Sequence, residues 1–189
     1  MIHFDRTEEP PGFDDQVRKR GKAWLAEHPQ AKRPLDLWSG VKPQLADAFR
    51  QLCAYSAMYE PVGTVDHFVS VKADKSLAYE WSNYRFCSGW LNSSKQDAAV
   101  LDPFEVKDGW FEILLPSLQL VATHAVPQEL RAMAEFTLER LRLRDDERVI
   151  RQRREWYRMY ETGELSLDGL GLKAPLIARA VERQRQATT

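Results

Sequence analysis

The sequence predicts an α+β fold: a strand–loop–strand–helix unit at the centre, helical extensions on both sides and one additional hairpin. Three observations carry this. Residues 62–71 (VGTVDHFVSV) mix Val, Thr and Phe around a glycine, which is strand chemistry after a turn at Pro61 to Gly63. Tyr84 to Cys87 reads as a second short strand, and the polar run WLNSSKQDAA after Gly89 suits a helix. Beyond Pro127, apolar residues recur at helical spacing.

In chain order, Asp14 to Glu27 begins acidic and continues basic and amphipathic, which predicts a helix closed by His28-Pro29. Lys32-Arg33-Pro34 reads as a linker. Lys42 to Leu52 places Leu45, Ala48, Phe49 and Leu52 at helical spacing with Pro43 in the first turn. LAYEWSN, between the strands, is rich in aromatics and too short for a long helix. WFEILLPSLQLVAT gives two apolar runs parted at Pro116-Ser117, a hairpin with proline in its turn. PQELRAMAEFTLERLRL sets Leu130, Met133, Ala134, Phe136 and Leu141 for burial, and ERVIRQRREWYRMYE sets Val149, Trp156 and Tyr160 on one side. A last helix is expected from about Pro175 to Gln184. The boundaries are a helical extension over 1–52, a core over 53–100, and a hairpin with C-terminal helices over 101–189, all in a single domain.

A chain of 189 residues, 43% hydrophobic, is long enough to bury a sizeable core. No stretch approaches the roughly 20 apolar residues of a membrane-spanning helix, and MIHFDRTEEPPGFDD is too acidic and broken for a signal peptide, so a cytoplasmic location is expected. Two cysteines, Cys53 and Cys87, are too few for a disulfide framework. The net charge of -1 means that any nucleic-acid contact must be local or shared with a partner.

Asp66 and His67 are adjacent on the first strand, where neighbours face opposite ways unless a bulge or strand end re-aims them. Alone, such a pair is most often a surface or satisfied-core feature. Asn83 follows His67 by 16 positions and Asn92 follows Asn83 by 9, one before the second strand and one in the following helix. A strand–loop–strand–helix unit would bring both towards His67.

These residues, VDHF, AYEWSNYRF and WLNSSK in order, resemble the HNH or ββα-metal (His-Me finger) endonuclease family, whose signature is an acid-histidine pair, a middle asparagine and a final histidine or asparagine. A CAY motif before the pair, LDPF at Leu101 to Phe104 and Trp110-Phe111 resemble a bacterial stand-alone branch of it. The resemblance implies a ββα-metal core that cuts DNA, with RNA not distinguished. His67 would be the general base. Asp66 and the carbonyl oxygen of Asn92 would hold one magnesium or manganese ion, and Asn83 would orient the histidine loop through bonds to backbone. The products would carry a 3′-hydroxyl and a 5′-phosphate. Similar stand-alone proteins serve as nuclease subunits beside ATPases in phage-defence systems of the Septu and retron type, so an ATPase partner is implied by analogy. The competing expectation is an inactive module that keeps the scaffold to bind nucleic acid or protein.

Many relatives carry a structural zinc in two Cys-x-x-Cys knuckles. Here Ser56 and Trp90 stand where the partners of Cys53 and Cys87 would be. Zinc is therefore expected to be absent, with Tyr55, Tyr59, Trp81, Tyr84, Phe86 and Trp90 packing in its place and the two cysteines lying close together. Lys95 would reach phosphate or be a solvated side chain. Arg151, Arg154 and Arg158 share one helical face that suits a phosphate backbone or an acidic partner, or is a plain solvated face. His3, His28 and His124 lack partnered acids at useful spacing.

Overall fold

The computed structural model describes residues 1–188. It is an α+β arrangement with two separate two-stranded antiparallel sheets. The order is α1 (Arg20–Glu27), α2 (Lys42–Ala48), β1 (Thr64–His67), β2 (Tyr84–Cys87), α3 (Gly89–Lys95), β3 (Phe111–Leu114), β4 (Gln119–Ala122), α4 (Arg131–Arg140), α5 (Glu147–Glu161), α6 (Leu167–Lys173) and α7 (Pro175–Thr188). Among the described residues no helix is long and apolar enough to cross a membrane.

The helix expected from Asp14 does run to Glu27, but its first six residues are wound as a π-helix before α1 begins. Gly21 sits on its inner face because nothing larger fits: a Cβ there would lie 2.3 Å from the Tyr79 ring. This contact seats α1 against the segment that follows His67. The second helix stops at Ala48 rather than Leu52, since Arg50 and Gln51 both take left-handed backbone angles that no helix continues through. The chain then turns back, and Leu52 bridges Tyr59.

β1 pairs with β2 in the register Thr64 to Cys87, Val65 to Phe86, Asp66 to Arg85 and His67 to Tyr84. β2 occupies the residues expected, and Ser88 in extended conformation starts α3 directly after it. α3 lies against β1 with Leu91 and Lys95 inward. β3 and β4 form the second hairpin, with Pro116 in the connection.

The sequence misassigns one helix face. Met133 and Phe136, expected inside, are 37% and 44% exposed, while α4 buries Ala134, Thr137 and Leu138, and Leu141 follows. Thr137 is chosen because its hydroxyl works twice: it donates to Met133 O at 2.7 Å and accepts from Leu101 N at 2.9 Å, tying α4 to the LDPF segment. On α5, Val149 is buried and Trp156 and Tyr160 are half-buried against the core, as their spacing predicts. The last helix extends past Gln184 to Thr188. Ile177, Ala180 and Val181 of α7 join Met1, Ile2 and Phe4 in the same buried cluster as the central strands.

The most demanding buried group in this half is Arg153 of α5. Its guanidinium donates to Leu118 O at 2.9 Å, Arg144 O at 3.1 Å and Leu143 O at 2.7 Å, so one side chain closes the ends of the second hairpin and of the α4 segment. Burial lowers its pKa to about 10. Arg153→Ala takes the guanidinium from the buried Leu118 and Leu143 carbonyls, while Arg144 O keeps Leu120 N, and should cost on the order of 3 kcal/mol in urea denaturation, whereas loss of a solvated arginine costs about 0.5 kcal/mol or less.

Candidate functional site

Asp66 and His67 leave β1 towards different surroundings, as alternation along a strand requires. Asp66 points at α3 and is 2% exposed. Its Oδ2 accepts from the Tyr55 hydroxyl at 2.5 Å and its Oδ1 from Lys95 Nζ at 3.1 Å. Lys95 is 0% exposed, and its ammonium also donates to His67 O at 3.2 Å and Phe68 O at 2.9 Å, so all three of its protons are used. Burial, with the Asp66 charge next, pushes the Tyr55 hydroxyl far above its ordinary pKa and keeps it a donor. A buried carboxylate is tolerable only in such company.

Lys95 therefore neither reaches phosphate nor stands in solvent, as the sequence had suggested. It is one turn from Leu91 on the inner face of α3, and that i, i+4 relation to an apolar residue was the signal available in the sequence.

The arrangement also decides how Asp66 and Asn92 stand towards a metal. Both carboxylate oxygens of Asp66 have partners, and the cation beside them is an ammonium. Asn92 Nδ2 donates to Val65 O at 3.3 Å. Among the described residues no group of three or more His, Cys, Asp or Glu side chains converges. Magnesium is held through one or two carboxylates and fills its other positions with water and phosphate oxygens, so the carboxylate is the ligand that decides. As arranged, these residues do not fit the magnesium or manganese ion that the family resemblance implies.

His67 faces the other way, between the edges of Trp38 and Tyr84, with ring centroids at 4.6 and 5.2 Å. Its Nε2 lies 2.9 Å from Ala78 O. A carbonyl only accepts, so Nε2 carries the hydrogen and Nδ1 holds the lone pair. Burial outweighs the Ala78 bond and the Asp66 charge and holds the imidazole below its ordinary pKa of 6.5, so it is neutral at pH 7. His67 lines a cleft of about 420 Å³ together with Lys32, Arg33, Asp36, Trp38, Lys72 and Asp97. Lys72 is paired with Asp97 at 2.7 Å.

The segment joining the strands is fastened by Asn83, which is buried. Its Nδ2 donates to Val69 O at 3.0 Å and Leu77 O at 3.1 Å, and its Oδ1 accepts from Val69 N at 2.8 Å. Its own carbonyl accepts from Phe68 N at 2.8 Å. Asn83 thus binds both ends of the loop that carries Ala78, the partner of His67.

Cys53 and Cys87 are free, buried thiols brought together where Ala54 N donates to Phe86 O at 2.8 Å. Burial, and next the neighbouring Cys53, push the Cys87 thiol well above its ordinary pKa. Of the aromatics expected to pack in place of zinc, Tyr55, Trp81, Tyr84 and Phe86 are buried and Tyr59 and Trp90 half-buried, with Trp81 and Tyr84 packed on each other and on Phe13. On α5, Arg151 is held by Glu147, and Arg158 by Glu155 at 2.7 Å and Glu164 at 2.8 Å, while Arg154 is exposed. That face is largely neutralised by its own carboxylates. His3, for which no acid partner was expected, lies 3.2 Å from Asp5.

Sequence reasoning missed Arg85. It is 1% exposed, grips Asp102 with two bonds at 2.9 and 2.7 Å, and stacks on the Phe104 and Phe68 rings at 3.8 and 4.8 Å. An arginine inside a wholly buried strand, with an acid in the LDPF element, was the available signal. In comparisons with protein-family models, curated proteins and solved structures, nothing matches the chain.

Lys95→Ala leaves the Asp66 charge buried without its counter-ion. Urea denaturation should show a loss on the order of 3 to 5 kcal/mol, partly recovered in the Lys95→Met, Asp66→Asn double variant. A loss below about 1 kcal/mol would contradict the pairing.

Proposed function

We propose that the chain is a nuclease of the HNH type that hydrolyses DNA phosphodiester bonds with His67 as its general base. The observation that supports this most is the state of His67: neutral, fixed in one tautomer by Ala78 O, and lining an open cleft that also holds Lys32 and Arg33. On this reading β1, β2 and α3 are the ββα-metal core, and the Asn83 clamp is what keeps the histidine loop in register.

The chemistry follows from those groups. Nδ1 of His67 takes a proton from water, and the resulting hydroxide attacks phosphorus. The bond from phosphorus to the 3′-oxygen breaks, and that oxygen takes up a proton from solvent, giving a 3′-hydroxyl and a 5′-phosphate. Lys32 and Arg33, which line the same cleft as His67 and Asp36, would offset the charge developing on the phosphate oxygens. Asp66 acts on His67 only through its charge, which makes the imidazole more basic than burial alone would leave it. No step is assigned to a divalent ion, because the Asp66 carboxylate is already committed to Lys95 and Tyr55. An ATPase partner belongs to the same proposal and would supply target choice.

One observation favours a second reading, an inactive module that binds nucleic acid or protein: the acid of the signature is sealed inside rather than open to substrate. A single assay separates the two. Plasmid is incubated with the protein in magnesium, in manganese and in chelator, alone and with any ATPase that co-purifies with it. The nuclease reading expects cleavage in at least one condition and its loss by about 10²-fold or more in His67→Ala. No cleavage in any condition, or undiminished cleavage by His67→Ala, sinks it. The pH dependence carries its own sign. Because the pKa of His67 is lowered, the base is unprotonated further into acid, and the acid limb of the cleavage rate should lie below pH 6.5.

A further inference from the structure

α3 has a second face. Opposite Leu91 and Lys95 it presents Trp90, Ser93, Ser94 and, just past its end, Gln96, and these face Arg140, Arg142 and Arg148 across a cleft of about 510 Å³. Three guanidiniums line it and no carboxylate does. The chain has a net charge of -1, and many of its other arginines are tied to acids.

The three arginines are held in different ways. Arg140 is anchored by Nη2, which donates to Lys95 O at 3.2 Å and Gln96 Oε1 at 3.0 Å, while its buried Nε has no hydrogen-bond partner. Arg148 lies over the Trp90 ring at 5.7 Å and makes no ion pair among the described residues. Arg142 is exposed and reaches Asp146 only at 3.9 Å. An anchored guanidinium and two exposed ones, of which only Arg142 has a carboxylate within 4 Å among the described residues, hydroxyls and an amide at the same mouth, and an indole already bearing a cation are the chemistry that receives phosphates along a strand.

We propose that this cleft binds the phosphate backbone of DNA, through Arg140, Arg142 and Arg148 with Ser93 and Ser94. The proposal rests on the nuclease reading for its choice of ligand. It replaces Arg151, Arg154 and Arg158 as the contact surface, since Arg151 and Arg158 are already neutralised by glutamates. It also meets the requirement set by the net charge, that any contact be local. Lys95 O, the acceptor for Arg140, belongs to the residue whose ammonium holds Asp66, so one helix carries the cleft on one side and the buried pair on the other.

The test is binding rather than cleavage, measured in chelator on the full chain. Fluorescence anisotropy of fluorescein-labelled mixed-sequence oligonucleotides, single-stranded DNA, duplex DNA and RNA, is followed over a range of salt. Arg142→Glu with Arg148→Glu should weaken DNA binding by about tenfold or more and lower the slope of log Kd against log salt by roughly 2, as expected for two lost phosphate contacts. Both side chains are exposed, and an unchanged circular dichroism spectrum and Tm confirm folding. Arg151→Glu with Arg154→Glu should change Kd by less than about twofold. Equal weakening by the two pairs, unchanged binding in the first, or binding confined to RNA would overturn the proposal. DNA binding lost through Arg142 and Arg148 in a chain that never cleaves would support the cleft and sink the nuclease reading, so the two fail separately.

Discussion

The centre of this structure depends on one buried ion pair. Lys95 brings an ammonium from α3 to Asp66 Oδ1 and to the carbonyls of His67 and Phe68, where β1 ends. Neither charge could be buried alone, because desolvating one costs several kcal/mol that only the other, with its hydrogen bonds, offsets. The pair therefore fixes the distance and rotation of α3 against β1. It also gives the carbonyl of His67 a partner at the position where the ladder with β2 runs out. Much of the local geometry follows. Tyr55 must stay protonated to serve Asp66, and Asn92 is left within reach of Val65 O.

The same constraint separates the signature residues. The acid belongs to the interior and the imidazole to a cleft, with a strand between them. A metal-centred reading needs Asp66 to share an ion with Asn92, whereas the observed bonds give Asp66 to Lys95. What remains open to solvent beside His67 is Lys32, Arg33 and Lys72 with the carboxylates Asp36 and Asp97, the second of which takes up Lys72. On the proposed reading, the neutral imidazole would act beside Lys32 and Arg33 in this cleft. The Asn83 clamp explains how a long segment between two four-residue strands holds Ala78 O in place for Nε2.

The sequence was most readable where local chemistry decides the outcome. β2 at Tyr84 to Cys87, the strand after Gly63 and the proline in the second hairpin turn all follow from residue type and short-range pattern. The closeness of Cys53 and Cys87 was readable because a known two-knuckle layout places those positions together. What was hidden depended on tertiary partners. Lys95 looks like any polar helix residue until Asp66 is placed opposite it. Arg85 and Arg153 are buried because of acceptors in distant segments, Asp102 for one and Leu118, Leu143 and Arg144 for the other. On α4, spacing alone allowed two faces, and the Thr137 hydroxyl, bonded to Leu101 N, selected the one without Met133 and Phe136. The arginine cleft was unreadable for the same reason, since Arg140, Arg142 and Arg148 meet Trp90 only after α4 and α5 fold back over α3.

The claim on which the rest turns is that His67 is a neutral base with its proton on Nε2 and its lone pair on Nδ1. Nitrogen-15 NMR of the histidine-labelled protein across a pH titration reads both properties at once. The account predicts a His67 resonance pair with protonated Nε2 and unprotonated Nδ1, titrating below pH 6.5. A proton resident on Nδ1, or titration at or above pH 6.5, would contradict it.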